Sequence, residues 1–142
     1  MKLNVPSIET RLIKLRQYIA ELKNQQALDR SEFEANLTAQ LAVERAFQAA
    51  IECCTDIANH IISVYGLTRP EDQKEVFPIL ARAGYFDGEY GAAMSAMVQF
   101  RNRIVHLYWD LDVERLYHYL QTDIPLLERF EVFVVQLLEA EQ

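Results

Sequence analysis

Between Ser31 and Gly66 the apolar residues Val43, Ala46, Ala50, Cys54, Ile57, Ile61 and Val64 recur at spacings of three and four, the repeat of one face of an α-helix. At more than 30 residues this seam is long for a small domain, so it must be the central post against which other helices pack. Ser31, with Glu34 three residues later, supplies a capping box for its start, and Gly66 is placed to stop it. A preceding helix from Ser7 to Gln26 carries Ile8, Leu12, Leu15, Ile19 and Leu22 on one side. After it, a short helix is expected from Pro70 to Gly84, kinked or broken at Pro78. Asp87 opens a fourth, in which Ala92, Ala93, Ala96 and Val98 promise close packing on a neighbour. Asp112 caps a fifth that reaches toward Leu138 and bends at Pro125. The expectation is an all-α fold, an antiparallel bundle of four long helices plus one short helix, built as one domain over residues 1–142.

Composition fits few, long elements: among 142 residues, 51% hydrophobic, there are only 4 Gly and 4 Pro to make turns. There is no apolar run of about 18 residues and no signal-peptide core in MKLNVPSIETRL, so the reading is a cytoplasmic protein with no membrane partner. Cys53 and Cys54 are adjacent within a helical pattern and read as small core residues in a reducing compartment. The formal net charge of −7 argues against a nonspecific nucleic-acid coat. Its distribution is uneven. Residues 1–30 hold six basic groups against three acidic ones, which leaves the rest of the chain acidic by ten. An acidic exterior suits a basic protein partner, while Arg101 and Arg103 allow a local positive pocket.

Those two arginines lie in RNRIVHLYW, residues 101–109, where Arg101, His106 and Tyr108 are spaced RxxxxHxY. A histidine titrates near neutral pH and can take or give a proton. An arginine can clamp a phosphate through paired hydrogen bonds and stabilise the charge that grows on it. Together they supply what metal-free cleavage of RNA needs, although an Arg and a His at a helix end can also be ordinary polar residues. Five residues on an ideal helix separate Arg101 and His106 by about 140°, so one face cannot present both. Asn102 and His106, four apart, do share a face. Three solutions are open: a long Arg reaching round, a loosened last turn before WDLD, or a second copy of the motif across a dimer. The dimer solves the problem most naturally, because two antiparallel copies place an Arg and a His from each protomer around one cleft.

Other polar residues have competing readings. Asp56 and His60, one turn apart on the post, either support the site or make a local contact. Glu44 and Arg45 face either the cleft or solvent. His118 reads as a packed surface histidine, and Tyr117 and Tyr119 as packing residues before base-stacking ones. The three histidines match no metal-ligand spacing, so neither a metal site nor a cofactor is expected.

The segment AVERAFQAAIECCTDIANHIISVYG, the segment VFPILARAGYFD and then the motif, in that order along the chain, resemble the HEPN-domain family of the HepT type, the toxin half of HepT/MntA toxin–antitoxin pairs. The similarity covers about residues 8–135. It implies a HEPN-like bundle acting as a homodimeric, metal-independent endoribonuclease. By this resemblance His106 is the general base or acid for attack of a ribose 2′-hydroxyl on the adjacent phosphate, Arg101 binds that phosphate, and Asn102 positions one or the other. The product is then a 2′,3′-cyclic phosphate. Tyr108 is, by the same resemblance, the acceptor of AMP transferred from ATP by a minimal nucleotidyltransferase antitoxin of the MntA type, whose reaction uses the ATP and magnesium. The alternative is a non-catalytic helical subunit that binds a nucleotidyltransferase or a nucleotide; a helical interaction module without nucleotide chemistry fits the motif least.

Overall fold

In the computed structural model, which describes residues 2–106 and 112–141, the described residues form seven α-helices and no strand. Helix α1, Val5–Gln25, begins where the Asn4 side chain accepts from the Ser7 N–H, and buries the five expected residues, Ile8 to Leu22. Pro6 sits in the first turn, where its missing N–H costs nothing.

The long post is two helices. Asp29, not Ser31, caps α2 (Arg30–Glu34), in a capping box with Glu32. The sequence offers both registers, and a carboxylate at the cap also faces the positive end of the helix dipole. The chain breaks at Ala35 and Asn36, and the Asn36 side chain caps the new helix α3, Leu37–Val64, by accepting from the Ala39 N–H. Gln40, buried on α3, donates to the carbonyls of Phe33 and Glu34 at 3.0 and 3.1 Å. Both lie in the last turn of α2, where helical donors run short; the Phe33 carbonyl otherwise accepts from the Asn36 N–H at 3.2 Å. The apolar period runs on across the break, so periodicity alone could not reveal it.

Gly66 ends α3 as expected. Its φ is +63°, and Leu67 N–H reaches back to the Ile62 carbonyl at 3.0 Å, a glycine stop that only a residue at ease in the left-handed region can make. The short helix starts later than Pro70. A 3₁₀ turn, Gln73–Glu75, leads into α4, Val76–Arg82. This start places Pro78 in the first turn instead of the interior, so it produces neither kink nor break.

Helix α5 spans Gly88–His106, and Asp87 caps it through a 2.7 Å bond from the Tyr90 N–H. Close packing comes from Gly91: a Cβ there would lie 3.0 Å from Ala81 Cβ and 3.2 Å from the Phe77 carbonyl oxygen. Of the small residues expected to pack, Val98 is buried and Ala93 half-buried, but Ala92 and Ala96 are exposed. The expected fifth helix is also two. Asp112 caps α6, Val113–Thr122; the chain breaks at Asp123, and Pro125 lies in the first turn of α7, Ile124–Ala140. A proline cannot donate the hydrogen bond that an uninterrupted helix would require there.

Helix α1 runs antiparallel to α3, with Asn4 bonded to His60 and Arg11 paired with Asp56. It is also antiparallel to α7, through Arg16–Glu131 and Lys23–Glu128. Between these helices, Leu15, Leu22, Phe47, Ile51, Ile61, Met94 and Phe130 are fully or almost fully buried in one continuous core. Phe130 meets Phe77 edge to face at 5.6 Å, and Phe47 meets Phe100 at 5.8 Å. Among the described residues no helix is long and apolar enough to cross a membrane.

Candidate active site

Met97, Phe100 and Ile104 form a buried stripe on the C-terminal half of α5 and fix its rotation against the core. Arg101 follows Phe100 at the edge of that stripe, so its side chain leaves the core beside α3. Its Nη2 donates to Glu52 Oε1 at 2.8 Å, and its Nη1 donates to Asn102 Oδ1 at 2.9 Å. The Arg101 side chain is 28% exposed and that of Glu52 37%. Gln48, one turn before Glu52 on α3, donates more weakly to the same carboxylate oxygen at 3.4 Å. The remaining guanidinium donor, Nε, is buried and has no partner among the described residues.

The chemistry of this arrangement is that of an anion receptor held in place. Three of the five guanidinium hydrogens are spoken for, two by acceptors and one by burial, and those left lie on the two Nη atoms. Arg103 is exposed. Helix α5 is continuous as far as His106, whose backbone closes it, so no break precedes the histidine. The His106 side chain and all of Tyr108 lie outside the described residues.

Asp56 and His60 are engaged elsewhere. Asp56 pairs with Arg11 at 3.5 Å, and His60 Nε2 accepts from the backbone N–H of Asn4 at 2.9 Å. With Ser7 and Asn59 they line a small cleft of 240 Å³ between the start of α1 and the end of α3. The structure therefore joins Arg101 with Asn102 and Glu52, and gives Asp56 and His60 to the N-terminal segment.

Glu52 was not marked by the motif. Its trace in the sequence is a polar stripe, Glu44, Gln48 and Glu52 at spacings of four, interrupting the apolar run AFQAAIECC. Glu44 on this stripe is half-buried, and burial pushes its carboxyl above the ordinary range. Arg45 is exposed. Cys53 and Cys54 are buried free thiols, both raised by burial, as small core residues would be.

The aromatic residues of α6 pack. Tyr117 lies against Phe33 and donates to the Leu28 carbonyl at 3.1 Å, while Tyr119 rests on Phe100 with ring centroids 4.2 Å apart. His118 is exposed, its ring edge-on to Tyr119 at 5.9 Å.

Comparison with known proteins bears on this constellation. The profile of the family described as Ribonuclease HepT-like matches residues 15–132. The mRNA nuclease HepT of Shewanella oneidensis is 33% identical over 106 residues, covering 75% of this chain and 77% of that protein. The tRNA nuclease HepT of Aphanizomenon flos-aquae is 27% identical over 110 residues, with 78% and 75% covered. Among solved structures, a tri-AMPylated Shewanella oneidensis HEPN toxin in complex with MNT antitoxin superposes with a TM-score of 0.84 at 26% identity, over 92% of this chain and 97% of that one. A cytosolic protein of unknown function from Bacillus subtilis, YutE, shares the fold with a TM-score of 0.84 at 20% identity, over 98% and 93% of the two chains.

Proposed function

Because the chain belongs to the HepT-like ribonuclease family, we propose that it is the endoribonuclease toxin of a toxin–antitoxin pair and that RxxxxHxY is its active site. The observation that carries this reading is the fixed Arg101, bonded to Glu52 and Asn102 at the root of the motif. An arginine that only decorated a surface would have no reason to be tied both to a carboxylate on another helix and to its own neighbour.

In this mechanism one His106 removes the proton from a ribose 2′-hydroxyl. The freed oxygen attacks the adjacent phosphorus, the bond to the 5′-oxygen breaks, and a second histidine protonates that leaving oxygen. The products are a 2′,3′-cyclic phosphate and a 5′-hydroxyl end. Arg101 holds the phosphate and stabilises the added charge in the transition state. No metal enters these steps. The five-residue spacing of Arg101 and His106, about 140° on an ideal helix, supports a homodimeric site, since Arg101 is committed toward α3. Asn102, about 40° from the direction of His106 on such a helix, is the residue that links the two.

The relatives support the regulation as well. A related toxin has been solved AMPylated and bound to an MNT antitoxin, and Tyr108 is the motif tyrosine here. AMP on Tyr108 adds phosphate charge and bulk beside the cleft, which repels RNA. The partner is accordingly an MntA-type minimal nucleotidyltransferase.

The test is expression of the wild type, Arg101→Ala and His106→Ala in a bacterial host without any partner, with growth and RNA integrity followed together. Growth arrest and RNA with cyclic-phosphate ends are expected from the wild type alone. A folded, unmodified wild type that leaves RNA intact ends the ribonuclease reading. Mass spectrometry after co-expression with the nucleotidyltransferase should show AMP on Tyr108, and an unmodified tyrosine removes that part.

A further inference from the structure

Resting on the ribonuclease reading of the motif, we infer that Glu52 is a positioning residue that locks Arg101 as an end-on phosphate fork. The two residues are 49 apart in sequence and on different helices, yet meet at 2.8 Å in a half-buried pair. Asn102 takes the other Nη, and Nε is buried with no partner among the described residues. An arginine has five N–H donors on one rigid plane, so anchoring each Nη by one hydrogen and burying Nε fixes the plane and leaves one hydrogen on each Nη. One hydrogen from each Nη can make two parallel hydrogen bonds to neighbouring phosphate oxygens.

The same carboxylate has a cost for substrate. Its negative charge offsets that of Arg101 and repels an approaching phosphate. Glu52 thus weakens ground-state attraction for RNA while fixing the geometry that the transition state uses. Removing the charge without changing the shape, Glu52→Gln, should therefore separate the two effects. The expected result is a kcat lower by about 10- to 100-fold, the scale of a misplaced catalytic group, with KM unchanged or reduced. A residue that merely held two helices together would lower active fraction and melting temperature and leave this split unmoved.

The experiment compares wild type, Glu52→Gln, Arg101→Lys and the double variant on a short fluorescent RNA, with melting temperatures measured alongside. If Glu52 acts through Arg101, the Glu52→Gln effect shrinks sharply in the Arg101→Lys background, since a lysine has no fork to orient. A wild-type kcat for Glu52→Gln overturns the inference, as does an equal loss in both backgrounds. Nitrogen-15 NMR of the Arg101 guanidinium gives an answer that needs no turnover: slowed rotation in the wild type and fast rotation in Glu52→Gln support the lock, and fast rotation in both overturns it. An inactive wild type with the slowed guanidinium signal therefore counts against the ribonuclease reading and leaves the pair intact.

Discussion

Each end of α5 carries an arginine–carboxylate pair of almost the same length, and the two do different work. At the N-terminal end Arg129 meets Asp87 at 2.7 Å; at the C-terminal end Arg101 meets Glu52 at 2.8 Å. Asp87 spends one oxygen capping the helix, and Arg129 Cζ lies over the Tyr90 ring, 4.1 Å from its centroid. The Tyr90 hydroxyl closes the cluster on the Leu126 carbonyl at 2.7 Å. Every group there has a structural acceptor or donor. At the other end, among the described residues, the carboxylate caps no helix and one buried guanidinium nitrogen has no bonding partner. An ion pair is thus informative about function according to what its members are left free to do, more than by its distance.

That contrast is open to breaking, beginning where the effect should be largest. Arg101→Ala should cut RNA cleavage by about 10²- to 10³-fold, the usual loss for a group that stabilises transition-state charge, with a melting temperature close to wild type. Cleavage assays beside thermal denaturation decide it, and a joint collapse of activity and stability would make the two ends alike. Gly91→Ala, which drives a methyl into Ala81 and the Phe77 carbonyl, should destabilise by about 1–3 kcal/mol in urea titration. Tyr90→Phe removes the bond to Leu126 and should cost about 1 kcal/mol while kcat is unchanged. Burial also raises the Tyr90 phenol well above its ordinary range, so this contribution persists through mildly alkaline pH.

The smallest effect belongs to Asp87→Asn. Bonds from Arg129 and from the Tyr90 N–H hold the Asp87 carboxyl below its ordinary 3.8, so the folded state favours the charged form. The resulting stability is present above 3.8 and is lost as the pH falls through the lower folded-state value. The difference in melting temperature between wild type and Asp87→Asn should be slight at neutral pH and vanish in strong acid. A difference that grew on acidification would contradict the assignment.

The sequence showed where helices stop more faithfully than where they are interrupted. Gly66 and Gly84 both adopt positive φ, and Asp87 and Asp112 both cap, because each is a local device whose chemistry fits within one turn. The break at Asn36 goes with Gln40 folding back onto the last carbonyls of α2, whereas the one at Asp123 is marked locally by Pro125, which the sequence read as a bend. An apolar period passes through such breaks unchanged. The site followed the same rule. Arg101 and Asn102 were legible as neighbours in a motif, whereas Glu52 lies 49 residues from its partner and becomes visible only when α3 and α5 are side by side. Asp56 and His60 had a suitable spacing along α3, but their partners are on the N-terminal segment, which helical spacing cannot report.

The close approach at Gly91 gives α5 a fixed datum. From there to Arg101 the helix advances ten residues, about 15 Å, with its rotation set at both ends. One residue inserted in that interval would turn Arg101 by about 100° and carry it off Glu52, although every side chain of the pair remained in the gene. This stretch can therefore change its letters but not its length, and in proteins that share the site the count of residues between the tight glycine and the arginine should vary less than their identities.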